Sequence, residues 1–477
     1  LKIIQLFIMK TKLSALFLCP NFNHLVSRIM SQDIHIKKGL DIKLVGAAAR
    51  EIAPATPPKN YRIQLEDFHG LTPKMLKKTG ETVQSGEPLF CDKDRPEVVV
   101  VAPVSGLVQE IHRGERRRIL SVDILADSEQ KQVKHAVLDL HAAQADQIKS
   151  LLLVSGCWPL IKQRPYDVIA GVQTTPKAIF IAGLDTAPLA AELDFILKDQ
   201  VDEVQAAVTA LSKLAPVVHI SVPAQGSAVF SGLKDCQLHR VSGVHPAGLV
   251  GTLINRVDPV NKGEVVWTIQ AADLAIIGKV ITQGIYDSSR TVAFAGASFE
   301  TNQYISLKQG ASLFEALKKF GLKSGSRVIN GNVLTGKKSH KEGYLGFYNT
   351  TVTAIPEGND YEFFGWNKPV TEKVSITRAL TFSWLFPKKN YNLTTNTNGE
   401  HRAFVVTGHY EQVFPLDIYP MQLLKACMIK DLDEMEALGL YEVAPEDFSL
   451  TEFVCISKQP HQQIIREGLD LLQKEIG

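Results

Sequence analysis

Hydrophobic and polar positions change period several times along this chain, and the sharpest changes fall within residues 245–296, HPAGLVGTLINRVDPVNKGEVVWTIQAADLAIIGKVITQGIYDSSRTVAFAG. Proline disfavours the helical region for the residue before it, so His245-Pro246 brings the chain in extended, and Gly248 and Gly251 are read as permitting a tight turn. Glu264 to Ile269 is a β-branched and aromatic run that predicts a strand. From Asp273 to Ile281 the pattern switches to Leu274, Ile277 and Ile281, the three- and four-residue spacing of one helical face, and Gly284 ends it. Thr291 to Ala295 is again a short apolar run. Strand, helix, strand in this order predicts a parallel crossover, and flat ligands and nucleotides bind at the strand ends of such units.

The same reading extends in both directions. Ala178 to Asp185 (AIFIAGLD) and Pro216 to Val222 (PVVHISV) read as buried strands on either side of an amphipathic helix from Asp202 to Leu214, so residues 166–296 are expected to form one Rossmann-like open-sheet domain. Before it, residues 131–165 read as a helical bridge closed by Gly156-Cys157-Trp158-Pro159. Residues 34–130 combine a lead-in arm with short strands separated by glycine, and GETVQSGEPLFCDKDRPEVVVVAPVSGLVQEI within it has the look of a biotinyl or lipoyl carrier, a flattened barrel-sandwich. Residues 297–373 give a strand, a helix from Ser312 to Phe320 and more strands, a β-grasp-like order. Residues 374–477 are mixed: a polar loop, FPKKNYNLTTNTNGEHRAF, ending in a strand, an amphipathic helix from Met421 to Glu442, and a closing helix with Ile464, Ile465, Leu469 and Leu472 on one face. The fold class expected is therefore multidomain α/β and β.

Composition narrows this picture by exclusion. At 477 residues the chain is too long for one ordinary core, and a formal net charge of +2 gives no electrostatic footprint for nucleic acid. No run of roughly 18 apolar residues argues for a spanning helix. The six cysteines include no CxxC pair, which fits neither a disulfide framework nor a closed metal or iron–sulfur site. Residues 1–33 are read as an extension that need not belong to the native protein: Lys10 and Lys12 split the apolar run that a signal peptide would need, and Met30 is the expected native start.

Several residues invite chemistry. Lys93, in Asp92-Lys93-Asp94, sits near the hairpin tip where true carriers bear their modified lysine, although Arg95-Pro96 lengthens that tip and a lysine there is more often a solvated charge. Glu115 to Arg118 reads as a solvated charged turn, Cys157 as a packed thiol without a basic neighbour, and His219 as a strand residue of the core. Gly331 to Lys338 nearly matches a phosphate-binding loop, but Lys338 replaces the magnesium-binding Ser or Thr and no helix follows. Phe363, Phe364 and Trp366 lie in a loop-rich connection where aromatics meet a partner or pack underneath. GxGxxG, GxSxG and HExxH are absent, so no catalytic residues and no metal ligands are assigned.

HPAG, the GETVQSGEPLF…APVSG barrel, FFGW, FSWLFPKKNYNLTTNTNGEHRAF, FPLDIYP and DLDEMEALGLYEVAPEDFSLTEFVCISK together resemble the A-subunit family of the sodium-translocating NADH:quinone reductase, from about Ile34 to the C-terminus. The C subunit of the Rnf complex is similar in plan, but that family carries ferredoxin-type cysteine sets where this chain has only Cys455, and glycine-rich flavin loops absent here. The resemblance implies a subunit with no cofactor of its own, peripheral on the cytoplasmic face of the bacterial inner membrane, with flavins and iron–sulfur centres in partner subunits, integral-membrane and redox subunits as partners, and a part in ubiquinone reduction coupled to sodium export. A quinone headgroup needs an apolar slot and one or two donors; His245, Gly248, Gly251 and Trp267 are the candidates, for the quinone or for a partner contact. A docking subunit with no ligand is the alternative.

Overall fold

The structure is a computed structural model that describes residues 31–340, 342–358, 362–365 and 367–477. The expectations for residues 1–30 and for Trp366 fall outside the described residues.

Short strands, alternating in Asn60–Gln64 and buried almost throughout in Pro88–Asp92, build the N-terminal barrel-sandwich. Asn60–Gln64, Ile119–Ala126, Gly106–Arg113 and Thr82–Val83 form an antiparallel four-stranded sheet, and Pro73–Met75, Pro88–Asp92 and Val99–Val101 form a three-stranded one. Ile63, Val83, Phe90, Val100, Val108, Val122 and Ile124 are buried in one core. A Cβ on Gly106 would stand 2.1 Å from the Leu125 carbonyl oxygen, so glycine is what lets these strands close.

The central unit is a seven-stranded sheet in the order Asp33–Ile36, Gln237–Gly243, Val218–Pro223, Ile179–Ala182, Val266–Gln270, Ile161–Arg164, Val168–Ile169. The first five strands are parallel and the last two antiparallel. Successive connections run outward from Ile179–Ala182 on one side, and Val266–Gln270 returns on its other side. Chain order therefore reverses between Ile179–Ala182 and Val266–Gln270, which makes that gap the topological switch point.

Two readings of residues 245–296 are corrected here. Val266–Gln270 and Ser289–Ala295 do not form a parallel crossover, because Ser289–Ala295 pairs instead with Gln303–Lys308 and Thr351–Pro356 in a second sheet of six strands. The true crossover into Val266–Gln270 uses the helix Val250–Val257, which glycine content had hidden. Gly248 does lie in a turn, closed by the Leu249 amide donating to the Pro246 carbonyl at 3.0 Å, whereas Gly251 is in the first turn of the Val250–Val257 helix; neither has a positive φ. They are close-approach positions, since a Cβ would stand 2.6 Å from the Thr186 amide nitrogen at Gly248 and 2.1 Å from Asp447 Oδ1 at Gly251.

The C-terminal helices keep a core of their own around Leu423, Leu424, Met435, Phe448, Ile465 and Leu469. The helix expected from Met421 to Glu442 is two, Pro420–Ile429 and Leu432–Ala437, because Lys430 turns left-handed (φ 60°) and Asp431 caps the second by accepting from the Glu434 amide at 3.1 Å. The strand expected at the end of the polar loop does not form: among the described residues of 357–408 there is no strand or helix.

Candidate functional site

A cavity of about 250 Å³ opens at the switch point. Ala182, Leu184 and Asp185 leave one parallel strand there, Thr268 to Ala272 leave the other, and His245, Gly248 and Val250 bring in the start of the Val250–Val257 helix. Gly331 to Gly336 and Tyr348 to Thr351 close it from the six-stranded sheet, and Glu446 from the C-terminal region. Apolar side chains (Leu160, Leu249, Ile269, Leu334) share the lining about equally with polar and charged ones, among them Lys162, Asp167, Thr268, Gln270, Asn332 and Glu446.

His245 is the best-defined of those groups. It is buried, and Thr186 holds it: the Gly248 amide donates to Thr186 Oγ1 at 2.9 Å, and Thr186 Oγ1 lies 3.0 Å from His245 Nδ1. Nε2 is buried and has no hydrogen-bond partner among the described residues. Burial holds the ring neutral by lowering its pKa to about 4. His245 is thus a neutral imidazole on the cavity lining with one ring nitrogen unpaired.

On another wall, Arg164 is fully buried and holds two carboxyls. Its Nη1 donates to Asp447 Oδ2 at 2.7 Å and to the Glu442 carbonyl at 2.9 Å, and its Nη2 donates to Glu446 Oε1 at 3.1 Å. Asp447 lies against the first turn of the Val250–Val257 helix, over Gly251, where the helix dipole favours an anion. Glu446 is crowded by protein yet keeps 41% of its side chain exposed, toward the cavity. Burial, and next the charge of Asp447, raise its carboxyl to about 7. Lys162 stands over the Tyr348 ring at 4.8 Å and 3.9 Å from Asp167.

The near-phosphate loop does line this cavity, but not as an anion cradle. Asn332 Oδ1 accepts from the Leu334 and Thr335 amides at 2.8 and 3.0 Å, and the Gly336 amide donates to the Asn332 carbonyl at 2.9 Å, so the loop spends its donors on itself. Lys337 turns away to Glu66, 3.5 Å distant. Asp167, Asp185 and Glu446 outnumber Lys162 around the space, which disfavours a phosphate.

Of the four candidates, the cavity brings His245 and Gly248 together; Gly251 serves Asp447, and Trp267 is not a wall of the site. Trp267 is buried edge-on against Trp158 with ring centroids 5.4 Å apart. Lys93 is exposed on the hairpin between Pro88–Asp92 and Val99–Val101, whose tip is pinned by Arg95 donating to Asp92 at 2.8 Å and to the Ile169 carbonyl at 3.1 Å. Cys157 is packed, its thiol pushed up to about 12 by burial, and His219 stacks on Phe180 at 4.9 Å inside the sheet. Thr186, Arg164, Glu446 and Asp447 were not singled out from the sequence. Arg164 stands in IKQRPYDV beside Lys162 and Asp167, an ordinary mixed stretch, and nothing local ties it to a carboxylate 283 positions away. Among the described residues no group of three or more His, Cys, Asp or Glu is placed to hold a metal ion, and no helix is long and apolar enough to cross a membrane.

A barrel-sandwich joined to an α/β sheet with a cavity at its switch point defines a multidomain α/β protein. Similarity to known proteins specifies it further. Family models match as the NqrA N-terminal barrel-sandwich hybrid domain at 34–127, the NqrA second alpha/beta domain at 143–286 and the NQRA C-terminal domain at 291–341. The A subunit of the Na(+)-translocating NADH-quinone reductase of Haemophilus influenzae is 37% identical over 449 residues, covering 93% of this chain and all of its own length, and that of Pseudomonas aeruginosa is 34% identical over 450 residues with the same coverage. Among solved structures, an air-oxidized NAD+-reducing [NiFe]-hydrogenase aligns with a TM-score of 0.36 and 10% identity over 66% of this chain and 61% of its own. This chain belongs to the A-subunit family of the Na+-translocating NADH-quinone reductase. The resemblance in HPAG and the terminal segments is borne out.

Proposed function

We propose that this chain acts as the peripheral A subunit of a Na+-translocating NADH:ubiquinone reductase, and that it takes the ubiquinone headgroup in the switch-point cavity as part of ubiquinone reduction to ubiquinol coupled to sodium export. The observation that supports the reading is the buried, neutral His245 imidazole with its Nε2 unpaired, on the lining of a cavity that mixes apolar and polar side chains. A quinone offers flat apolar faces and two carbonyl acceptors, and needs no cation. In this reading the imidazole proton is on Nε2 and is given to a quinone carbonyl as a hydrogen bond, and Gly248 contributes by bringing its amide onto Thr186, whose hydroxyl lies 3.0 Å from His245 Nδ1. Flavins and iron–sulfur centres belong, in this reading, to integral-membrane and redox partner subunits, and the chain docks on them at the cytoplasmic face of the inner membrane. We read the seven-stranded sheet as Rossmann-like and the six-stranded one as β-grasp-like, with boundaries near 130 and 373; the pairing of Ile161–Arg164 and of Ser289–Ala295 argues for placing the boundaries expected at 165 and 296 before those two strands.

One observation favours a second reading, a docking subunit without a ligand: Phe363, Trp384, Leu385 and Phe386 are largely exposed. Titration of the purified chain with a short-tailed ubiquinone, followed by intrinsic tryptophan fluorescence, separates the two. Saturable quenching supports the quinone reading. Absence of saturation, together with co-purification of membrane partners, supports docking alone.

A further inference from the structure

Arg164 divides one positive charge between two adjacent carboxyls, and it does so unequally. Asp447 takes the shorter contact, 2.7 Å, and a second bond from the Ala444 amide at 2.8 Å, with a side chain 0% exposed. Glu446 takes a single contact at 3.1 Å and keeps 41% of its side chain accessible at the cavity. The surrounding charges do not make up the deficit. Asp167 also faces Glu446, and it is shared between Lys162 at 3.9 Å and Arg466 at 4.0 Å; Glu442 stands behind Arg164, bonded to Asn255 Nδ2 at 2.6 Å; His245, on another wall of the same cavity, is neutral. Burial raises both carboxyls above their ordinary values, and the two titrate as a pair; Glu446 has the weaker hydrogen bonding to its anion and is the one that lines the cavity, so a proton exchanged with the cavity passes through Glu446.

We propose that Glu446 is the proton-donating group of this cavity, handing its carboxyl proton to a quinone oxygen as the ring is reduced; this rests on the quinone reading above. The quinone accepts two electrons from a flavin-type centre of the partner subunits and two protons. The Glu446 O–H bond breaks as an O–H bond to one ring oxygen forms, water at the cavity mouth supplies the other proton and reprotonates the Glu446 carboxylate, and Arg164 holds the anion meanwhile. His245 donates a hydrogen bond from Nε2 to a carbonyl oxygen and keeps its proton. The carboxyl, lifted to about 7, is divided between its acid and base forms at neutral pH, the condition under which such a group exchanges protons best.

The test is NADH-driven reduction of a short-tailed ubiquinone by the assembled complex carrying Glu446→Gln, across the pH range. The expected result is a KM within about twofold of wild type, a kcat lower by roughly 10- to 100-fold, and loss of the titration near neutrality, with Glu446→Asp restoring part of the rate on a displaced profile. A Glu446→Gln complex with wild-type kcat and pH profile overturns the proposal. If Glu446→Gln fails to assemble, Glu446→Asp decides: a displaced profile supports proton donation, an unmoved one overturns it. Quinone titration of the wild type separates the two levels. No saturable binding removes the quinone reading and this inference with it, whereas binding with an unmoved Glu446→Gln profile removes this inference alone.

Discussion

Arg164 and Arg290 are both buried against a carboxylate. Arg290 pairs with Asp273 alone, their side chains 2% and 0% exposed, and ties the first turn of the helix Asp273–Gln283 to the strand Ser289–Ala295 of the neighbouring sheet. One cation meets one anion, the helix dipole adds to the attraction, and no cavity reaches the pair. Arg164 has the same chemistry with a different stoichiometry: two carboxyls on one guanidinium, one of them opening on the switch-point cavity. Both arginines fasten one part of the chain to another. The surplus carboxyl and its access to the cavity turn the Arg164 cluster from a clamp into a site able to exchange protons.

The largest effects should come from breaking either clamp. Arg164→Met or Arg290→Met leaves a buried carboxylate without its partner and is expected to cost about 3–5 kcal/mol in chemical denaturation. The contrast sharpens if Arg290→Met, assayed below its new midpoint, keeps the wild-type pH profile of quinone reduction while Arg164→Met loses it. Equal disturbance of the profile by both would break it.

A smaller effect is expected from pH. Burial lowers His239 and His245 to about 4 and His461 to about 3, from 6.5. Each folded-state value lies below the unfolded one, so the unfolded chain binds more protons between them. Stability is retained above about pH 6.5 and falls progressively as pH drops toward 4 and below. Glu446 acts in the opposite sense: its raised value means that the native state binds the extra proton between 4.5 and about 7, so its contribution is lost as pH rises through that window. Thermal melts of wild type and Glu446→Gln at several pH values check both signs, with Glu446→Gln gaining most, relative to wild type, above pH 7. The smallest effect is at Lys93: Lys93→Arg should shift stability by less than about 0.5 kcal/mol, and intact mass should show the wild-type lysine unmodified.

Legibility from the sequence followed the range of the forces involved. The apolar run in Ala178 to Asp185 is a local pattern, and its centre, Ile179–Ala182, became the strand expected. The helix Val250–Val257 escaped because Gly251 looks like a turn residue, whereas it sits in the helix and lets Asp447 approach. Ser289–Ala295 was a correct strand in the wrong sheet, since partner choice is set by side chains distant in sequence. At the site, His245 was visible because His-Pro before a glycine-rich turn is unusual. Arg164, Glu446 and Thr186 were not, because their meaning lies entirely in contacts across 59 to 283 positions.

In the proposed quinone reading, binding in the switch-point cavity depends above all on His245 giving its Nε2–H to a ring carbonyl. Calorimetric titration of the wild-type chain and His245→Ala with the same short-tailed ubiquinone tests this directly. Loss of one hydrogen bond of about 1 kcal/mol should leave saturable binding in wild type and weaken it by roughly 5- to 10-fold in His245→Ala. Equal affinities in the two proteins would contradict it.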